Sequence, residues 1–464
     1  MGDILATEQF EFIAKKGLGR AHNAIAHSMA AFGDSLYVGA TSPSTAGEDT
    51  LPRIMAYNLK TREWTTVYEP ELIETTERAS VPDVQFVGVE SKVTDRLKSR
   101  TPEDFMAREF GFRSMLVFKG KSDKAPCLYV ATLSRTGGTI LRSEDGKTFE
   151  IVGEPGFGND EVLSFRGLTA FKDKVFVAPV GTITNEYIDR NLAPEARIYV
   201  STDPASGKWQ DACEIGFGED GNRAIFSLAA TKNYVYAGTG NPVTGMELWR
   251  TDAKGKAPYK WEKVLAFGGF RYAQNFATAA MAEFNGALYV GGGITGFGYD
   301  KAHDIGPAAA ELIRVHDDGS WDLIFGEARF TPDGLKIPLS AMGPGLDDPF
   351  NSIVWSMCEH DGVFYIGTHN WEPVEALNKG REIIGGYQLW ASKDGEEWEM
   401  ILSDGCGNPA STGIRTLCST SIGLAVGTSN HANLMQFLAR IKRSKNAFDG
   451  SHTGFEVLIG HDPD

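Results

Sequence analysis

The sequence predicts an all-β fold, a seven-bladed β-propeller, and three observations carry that prediction. A strand pair recurs seven times, as "SMAAFGDSLYVGA", "SMLVFKGKSDKAPCLYVAT", "GLTAFKDKVFVAP", "SLAATKNYVYAGT", "AMAEFNGALYVGG", "SMCEHDGVFYIGT" and "TLCSTSIGLAVGT". Each copy is followed by a second pair whose tight turn ends on an aromatic: Trp64, Phe149, Trp209, Trp261, Trp321, Trp398 and Phe455. The turns are short and the apolar residues alternate, as in strands with one face in a core. Seven four-stranded antiparallel sheets can bury their faces by packing radially, leaving only short protected edges. The mean period of about 60 residues exceeds that of familiar propeller repeats, and the excess is loop.

Taken in order, the first element is "FEFIAKKGLG", which resembles the outer strands "FEIVGEPGFG" and "WEKVLAFGGF" and is expected to close the ring beside the last blade. Near the C-terminus "FEVLIG" fits the same slot, giving eight candidate outer strands for seven blades. Which is regular and which is extra stays open at this level. Residues 1–464 are assigned to one propeller domain, with 66–111 as its longest insertion.

"GFGEDG", Gly216 to Gly221, has the G-x-G-x-x-G spacing of a dinucleotide-binding turn. That chemistry needs a helix N-terminus directly after the glycines, and here two short strands around a Lys-Asn turn follow. Related glycine pairs return at Gly17, Gly156 and Gly405, which marks a structural repeat.

A chain of 464 residues can bury a large core, and its net charge of -16 argues against nucleic acid or anionic membranes as partners. The N-terminus "MGDILATEQFEF" lacks a basic and apolar leader, and no apolar run of about 18 residues occurs, so a cytoplasmic protein without membrane insertion is expected. Five cysteines without a CxxC pair fit reduced thiols, Cys358 and Cys418 reading as small core residues.

The turns "SEDGKTF" from Ser143 and "SKDGEEW" from Ser392 look like the Asp-box of sialidase-type propellers, one residue shorter before the glycine. Asp and Gly accept the backbone angles of a tight hairpin, and the aromatic packs into the blade. With "GFGN", "GTGNP" followed by "ELW", and "DG" before the aromatic, the chain resembles a bacterial propeller family found as the propeller part of cylindrocyclophane-type aromatic-alkylating enzymes. The resemblance spans most of the chain and implies carbon-bond formation on a phenolic ring. It transfers no catalytic residue, and no counterpart of the calcium-binding repeats of those enzymes is evident.

Loops after strands two and four of a blade share one face. The long segments 40–53, 66–111, 179–196, 292–310, 326–353 and 369–386 all fall there. Ordered loops on a rigid scaffold commonly carry function, so a lidded pocket over the channel mouth is expected. "TDRLKSRTPEDFMAREFG" within 66–111 has helical periodicity and a cap at Thr101, and reads as a helical lid or a surface helix.

Inner strands begin at that face. Two residues before the repeating Met or Leu stand His27, Arg113, Arg166, Phe226, Ala279, Trp355 and Arg415, a cationic arc opposite an apolar one. Arginine pairs with carboxylate, phosphate or phenolate, so an anionic or phenolic small molecule is the expected partner. Arginines that satisfy carboxylates or carbonyls between blades would give the same pattern. Asn23, Asn222, Asn275 and Asn351 read as loop hydrogen-bonding residues.

The catalytic candidates are Arg113, Arg166, Arg415, His27, Asp220 and Tyr272, a loop carboxylate acting as base while arginine stabilises negative charge. Substrate-contacting candidates are Phe226, Trp355, His369, Trp371 and His431; the wider first-face set adds Asp160, Asp300, His303, Asp304, Asp348 and Glu372. No cofactor is expected, although "DKAHD" at 300–304 leaves a calcium ligand set open. Two histidines are too few for a four-histidine iron centre, and no spacing defends a Ser-His-Asp arrangement. Three functions remain in play: an enzyme alkylating or cyclising a phenolic substrate, a glycan-active enzyme on acidic sugars, and a lectin or protein scaffold.

Overall fold

The computed structural model describes residues 2–42, 51–74, 105–134, 136–159, 161–180, 195–294, 298–299, 304–442 and 452–463. Seven inner strands, Ile25–Phe32, Glu109–Phe118, Ser164–Phe171, Ala224–Ala230, Ala277–Phe284, Asn351–His360 and Ser411–Thr420, open blades 1 to 7. Each forms an antiparallel hairpin with a second strand: Ser35–Thr41, Cys127–Ser134, Lys174–Val180, Val235–Gly240, Ala287–Gly293, Val363–Asn370 and Gly423–Asn430. Single backbone bridges tie the end of a second strand to the next inner strand, as at Thr41 with Gly111, Gly293 with Ile353 and His369 with Gly413. Ser429 of blade 7 pairs with Ile25 of blade 1 in the same way. The blades form a closed ring, a seven-bladed β-propeller.

The closing strand settles the question left open by the sequence. Val457–His461 is the third strand of blade 7, paired with Gly423–Asn430 on one side and with Phe10–Ala14 on the other. The N-terminal strand therefore holds the outermost place. "FEVLIG" was ambiguous because a buried third strand and a half-buried outer strand are both short apolar runs. Phe455, expected at a turn before an outer strand, is buried ahead of this third strand instead.

Small residues let the blades approach. A Cβ on Gly367 would lie 2.5 Å from Ile414 Cβ of the next blade, and one on Gly238 would lie 2.4 Å from Thr278 Cβ. This contact explains the glycine in "YIGT" and "YAGT". The GxG turns are left-handed backbone after the fourth strand: φ is +60° at Gly216 and +59° at Phe217, and a strand from Ala224 follows, with no helix for a phosphate. Asn222 Nδ2 donates to the Gly216 carbonyl at 3.0 Å and to Glu247 at 2.8 Å, and Asn275 and Asn351 repeat the pattern.

Among the long segments, 66–111 rises on a two-stranded ribbon, Leu72–Glu74 with Phe105–Ala107. The predicted helix there is strand from Phe105 onward, and its remainder lies outside the described residues. Segment 326–353 carries a hairpin, Arg329–Thr331 with Gly334–Lys336, and 369–386 carries a helix, α1, Glu372–Asn378. A further long segment on this face, 431–454, escaped the sequence reading; it holds a second helix, α2, Ala432–Lys442. Val374 and Leu377 of α1 pack with Leu434, Met435 and Leu438 of α2 over blades 6 and 7.

Candidate functional site

Every inner strand carries a β-bulge at the same place. The pairing with the second strand slips between Ala26 and Ser28, Phe112 and Ser114, Phe165 and Gly167, Ile225 and Ser227, Thr278 and Ala280, Val354 and Ser356, and Ile414 and Thr416. The residue skipped is each time the one singled out above: His27, Arg113, Arg166, Phe226, Ala279, Trp355 and Arg415. A bulged residue has no ladder partner, and its side chain is re-aimed out of the regular alternation. The carbonyl before the bulge is taken by the neighbouring blade: Ser28 Oγ donates to Phe112 O at 2.7 Å and Ser356 Oγ to Ile414 O at 3.0 Å. The Ser or Thr that follows the bulge in "HSM", "WSM" and "RTL" is thus an interblade staple.

The structure brings the cationic residues of blades 7, 1, 2 and 3 into one electrostatic cluster. His27 is 7% exposed, its Nδ1 lies 2.7 Å from Thr41 Oγ1, and burial together with Arg415, Arg113 and Arg166 holds its pKa well below the usual histidine value. It is neutral at pH 7. Arg113 is 5% exposed and donates from Nη1 to Ser164 Oγ at 3.0 Å. Arg166 and Arg415 keep partial solvent access. Burial, Arg113 and Arg415 push Arg166 well below the usual arginine range, while burial and Arg113 bring Arg415 down to about 9. Guanidinium stays charged at neutral pH, so these directions report burial first and neighbouring cations second, with no carboxylate among the described residues offsetting them.

Interblade carbonyls answer part of this charge. Arg166 Nε donates to Phe226 O at 2.8 Å, and its guanidinium sits 4.2 Å from the Phe226 ring centroid. Arg415 lies 5.4 Å from the Trp355 ring centroid. Carboxylates do not: none among the described residues pairs with Arg166 or Arg415 or acts on His27. Arg142 of the same fold shows the structural alternative, bound by Asp123, Glu144 and Glu150.

Aromatic contacts extend the cluster. Trp355 meets His369 edge-on at 4.8 Å, and His369 meets His431 at 5.7 Å. Ser352 Oγ is 3.1 Å from His369 Nδ1 and Thr412 Oγ1 is 2.6 Å from His431 Nδ1. Ser352 and Thr412 sit at a second bulge of their strands, and their roles were missed because hydroxyls carry no signal without the register. Burial and His431 hold His369 well below the usual histidine value, and burial brings His431 to about 4.

Other candidates stand elsewhere. Asp220 is exposed beyond the GxG turn, and Tyr272 is 57% exposed with its ring on Phe267; neither has a hydrogen bond or ring contact to the cluster. Trp371 is half-buried, edge-on to Phe350 at 5.1 Å beside the helix pair. Asp348 accepts from Asn370 and Gln388, and Asp304 from the Tyr299 hydroxyl. Asp160, Asp300 and His303 lie outside the described residues. Among the described residues no group of three or more His, Cys, Asp or Glu could hold a metal ion, and no helix is long and apolar enough to cross a membrane.

The neutral histidines give a pH prediction. An unfolded chain binds a proton on each histidine near pH 6.5, which the folded His27, His369 and His431 refuse, so stability falls as pH drops below about 6.5. For His431 the loss continues to about pH 4. Melting temperatures measured between these values should fall steadily, and less steeply in His431→Gln; equal slopes would place the proton uptake elsewhere.

No family model and no curated protein sequence matches the chain. Among solved structures it is similar to a catalytically inactive virginiamycin B lyase from Staphylococcus aureus with quinupristin, at a TM-score of 0.50 and 9% identity over 97% of this chain and 99% of that one. That likeness is one of fold. It is also similar to a xyloglucanase from Xanthomonas campestris, with TM-score 0.46, 13% identity and coverage of 91% and 52%, and to a puromycin hydrolase, with TM-score 0.47, 10% identity and coverage of 92% and 53%. The chain spans about half the length of these last two.

Proposed function

We propose that the protein is an enzyme that takes an organic anion with an apolar or aromatic body at the channel mouth. One observation carries this reading: Arg166 and Arg415 meet no carboxylate among the described residues, although burial and neighbouring cations make their charge costly. Trp355, half-buried and already stacked on Arg415, offers apolar surface for the body of the ligand, while Phe226 is buried beneath Arg166 and backs the site from inside. A phenol suits both halves. Its oxygen would develop negative charge toward the arginines, with His27 proposed as the acceptor of its proton in place of the loop carboxylate expected from sequence. Alkylation of the ring, with the departing anion held on the same arc, is the reaction the family resemblance suggests.

A thermal-shift panel of alkylphenols, resorcinols, long-chain carboxylates and acidic sugars tests the reading, since a ligand specific to the folded state raises its melting temperature. Phenols or carboxylates should stabilise the parent and not Arg415→Ala, and stabilising phenols should then be alkylated by a supplied alkyl halide. Stabilisation by acidic sugars alone would move the assignment to glycan chemistry. A silent panel would overturn the small-molecule reading.

A further inference from the structure

At the end of the inner strands opposite the channel mouth, a hydroxyl, an imidazole and a carboxylate stand in a row. His360 ends the inner strand of blade 6, Ser419 is the last residue but one of the inner strand of blade 7, and Asp462 directly follows the third strand of blade 7. His360 Nδ1 lies 2.8 Å from Ser419 Oγ, and His360 Nε2 lies 2.7 Å from Asp462 Oδ1. The three are far apart in the sequence, and only the packing of blades 6 and 7 brings them together. We propose that they form a second reactive site, with Ser419 as nucleophile toward carboxylic esters, His360 as its general base and Asp462 as the positioning residue. This site is independent of the reading of the channel mouth given above.

An ionised carboxylate only accepts hydrogen bonds, so Asp462 fixes the proton of a neutral ring on Nε2 and leaves the Nδ1 lone pair toward the Ser419 hydroxyl. Both distances are within reach for proton transfer and for orienting the base. Burial divides the roles. His360 is 5% exposed and held in place, whereas Ser419 is exposed and open to a substrate.

Ser419 also supplies a donor for developing negative charge. Thr420 and Gly423 close a two-residue turn and form the hydrogen-bonded pair, with Ser419 and Leu424 next along the ladder. Such pairs alternate between antiparallel strands, so the Ser419 amide points out of the hairpin. Burial and Cys418 raise the Cys358 thiol while the Ser419 amide opposes them, which sets that amide toward the Cys358 sulfur. Sulfur is a weak acceptor, and the carbonyl oxygen of an ester can displace it. Glu359 and Asp361 are exposed on either side of His360, so the ester of a neutral or cationic alcohol suits the surroundings. On attack the Ser419 oxygen bonds to the acyl carbon and its proton passes to Nδ1. The ester C–O bond then breaks with its electron pair going to the alcohol oxygen, which takes the proton back from His360. Water repeats the sequence on the acyl-serine, releasing the carboxylic acid and restoring the hydroxyl.

Two probes test this site, p-nitrophenyl acetate for turnover and a fluorophosphonate for the nucleophile. The parent should release p-nitrophenol above the buffer rate, and peptide mass spectrometry should find the phosphonyl group on Ser419. Ser419→Ala, at a parent-like melting temperature, should lose about a hundredfold or more of that rate. Asp462→Asn should lower kcat about tenfold or more with KM near the parent value, a split that loss of a mere tie between blades does not produce. An unlabelled Ser419, or ester turnover that survives Ser419→Ala, would make the cluster a structural tie and overturn the proposal.

Discussion

Arg415→Met should melt at a higher temperature than the parent and bind the anionic ligand about a hundredfold more weakly, because one side chain carries both effects. In the unliganded protein its charge meets other cations, and its answered contact is the face of Trp355. An apolar side chain of similar reach keeps the packing and removes the repulsion, worth on the order of 1–3 kcal/mol. With ligand bound, the same change removes a charge-assisted contact worth about 2–5 kcal/mol on truncation. Arg166→Met should lose affinity alike but gain less stability, since its Nε also serves the Phe226 carbonyl between blades. Thermal melts beside titrations check both. A lower melting temperature in Arg415→Met would make Arg415 a structural tie and remove it from the site.

Deleting residues 2–14 should abolish cooperative folding at 37 °C. The segment places Phe10–Ala14 on the exposed edge of Val457–His461, and buries Leu5 where its amide donates to the Tyr365 hydroxyl at 3.1 Å. Thr7 and Gln9 add hydrogen bonds to the carbonyls of Ile401 and His461. Fully burying a large apolar side chain contributes about 1.5–3 kcal/mol, so buried Leu5 with the half-buried Phe10 and Phe12 approaches the lower end of the 5–15 kcal/mol that stabilises a typical domain. The last blade would also be left with three strands and an open edge. Circular dichroism melts test this, and a synthetic 2–14 peptide added in trans should restore part of the transition. A truncated chain that melts like the parent would show that the other six blade interfaces hold the ring unaided.

Most of this architecture was legible in the sequence, and the parts that were not fail for identifiable reasons. Seven near-copies overdetermine the inner hairpins, so the bulge residues stand at one offset from the repeating Met or Leu in the sequence itself. "FEVLIG" was ambiguous because the choice between third and outer strand depends on where the N-terminus docks. Helix α2 was hidden by the expectation of strands, although Leu434, Met435 and Leu438 are spaced for a helix. Asp220 and Tyr272 were chosen for lying in first-face loops, but membership of a loop does not say which way a side chain turns. That no carboxylate among the described residues meets Arg166 or Arg415 could not be read at all, because it depends on which side chains other strands bring near.

The repeated bulge also separates the chemistry of the mouth from the integrity of the wall. Because none of the seven skipped residues holds a rung of its ladder, exchanging one leaves the backbone pairing of its blade intact. His27, Arg113, Arg166, Phe226, Ala279, Trp355 and Arg415 therefore behave as seven sockets on one frame, in which stacked neighbours such as Arg166 with Phe226 and Arg415 with Trp355 exchange as pairs. A protein built this way can change its ligand by a few point substitutions drawn from a short alphabet, and a library randomised at these positions alone would sample new specificities while the scaffold stays fixed.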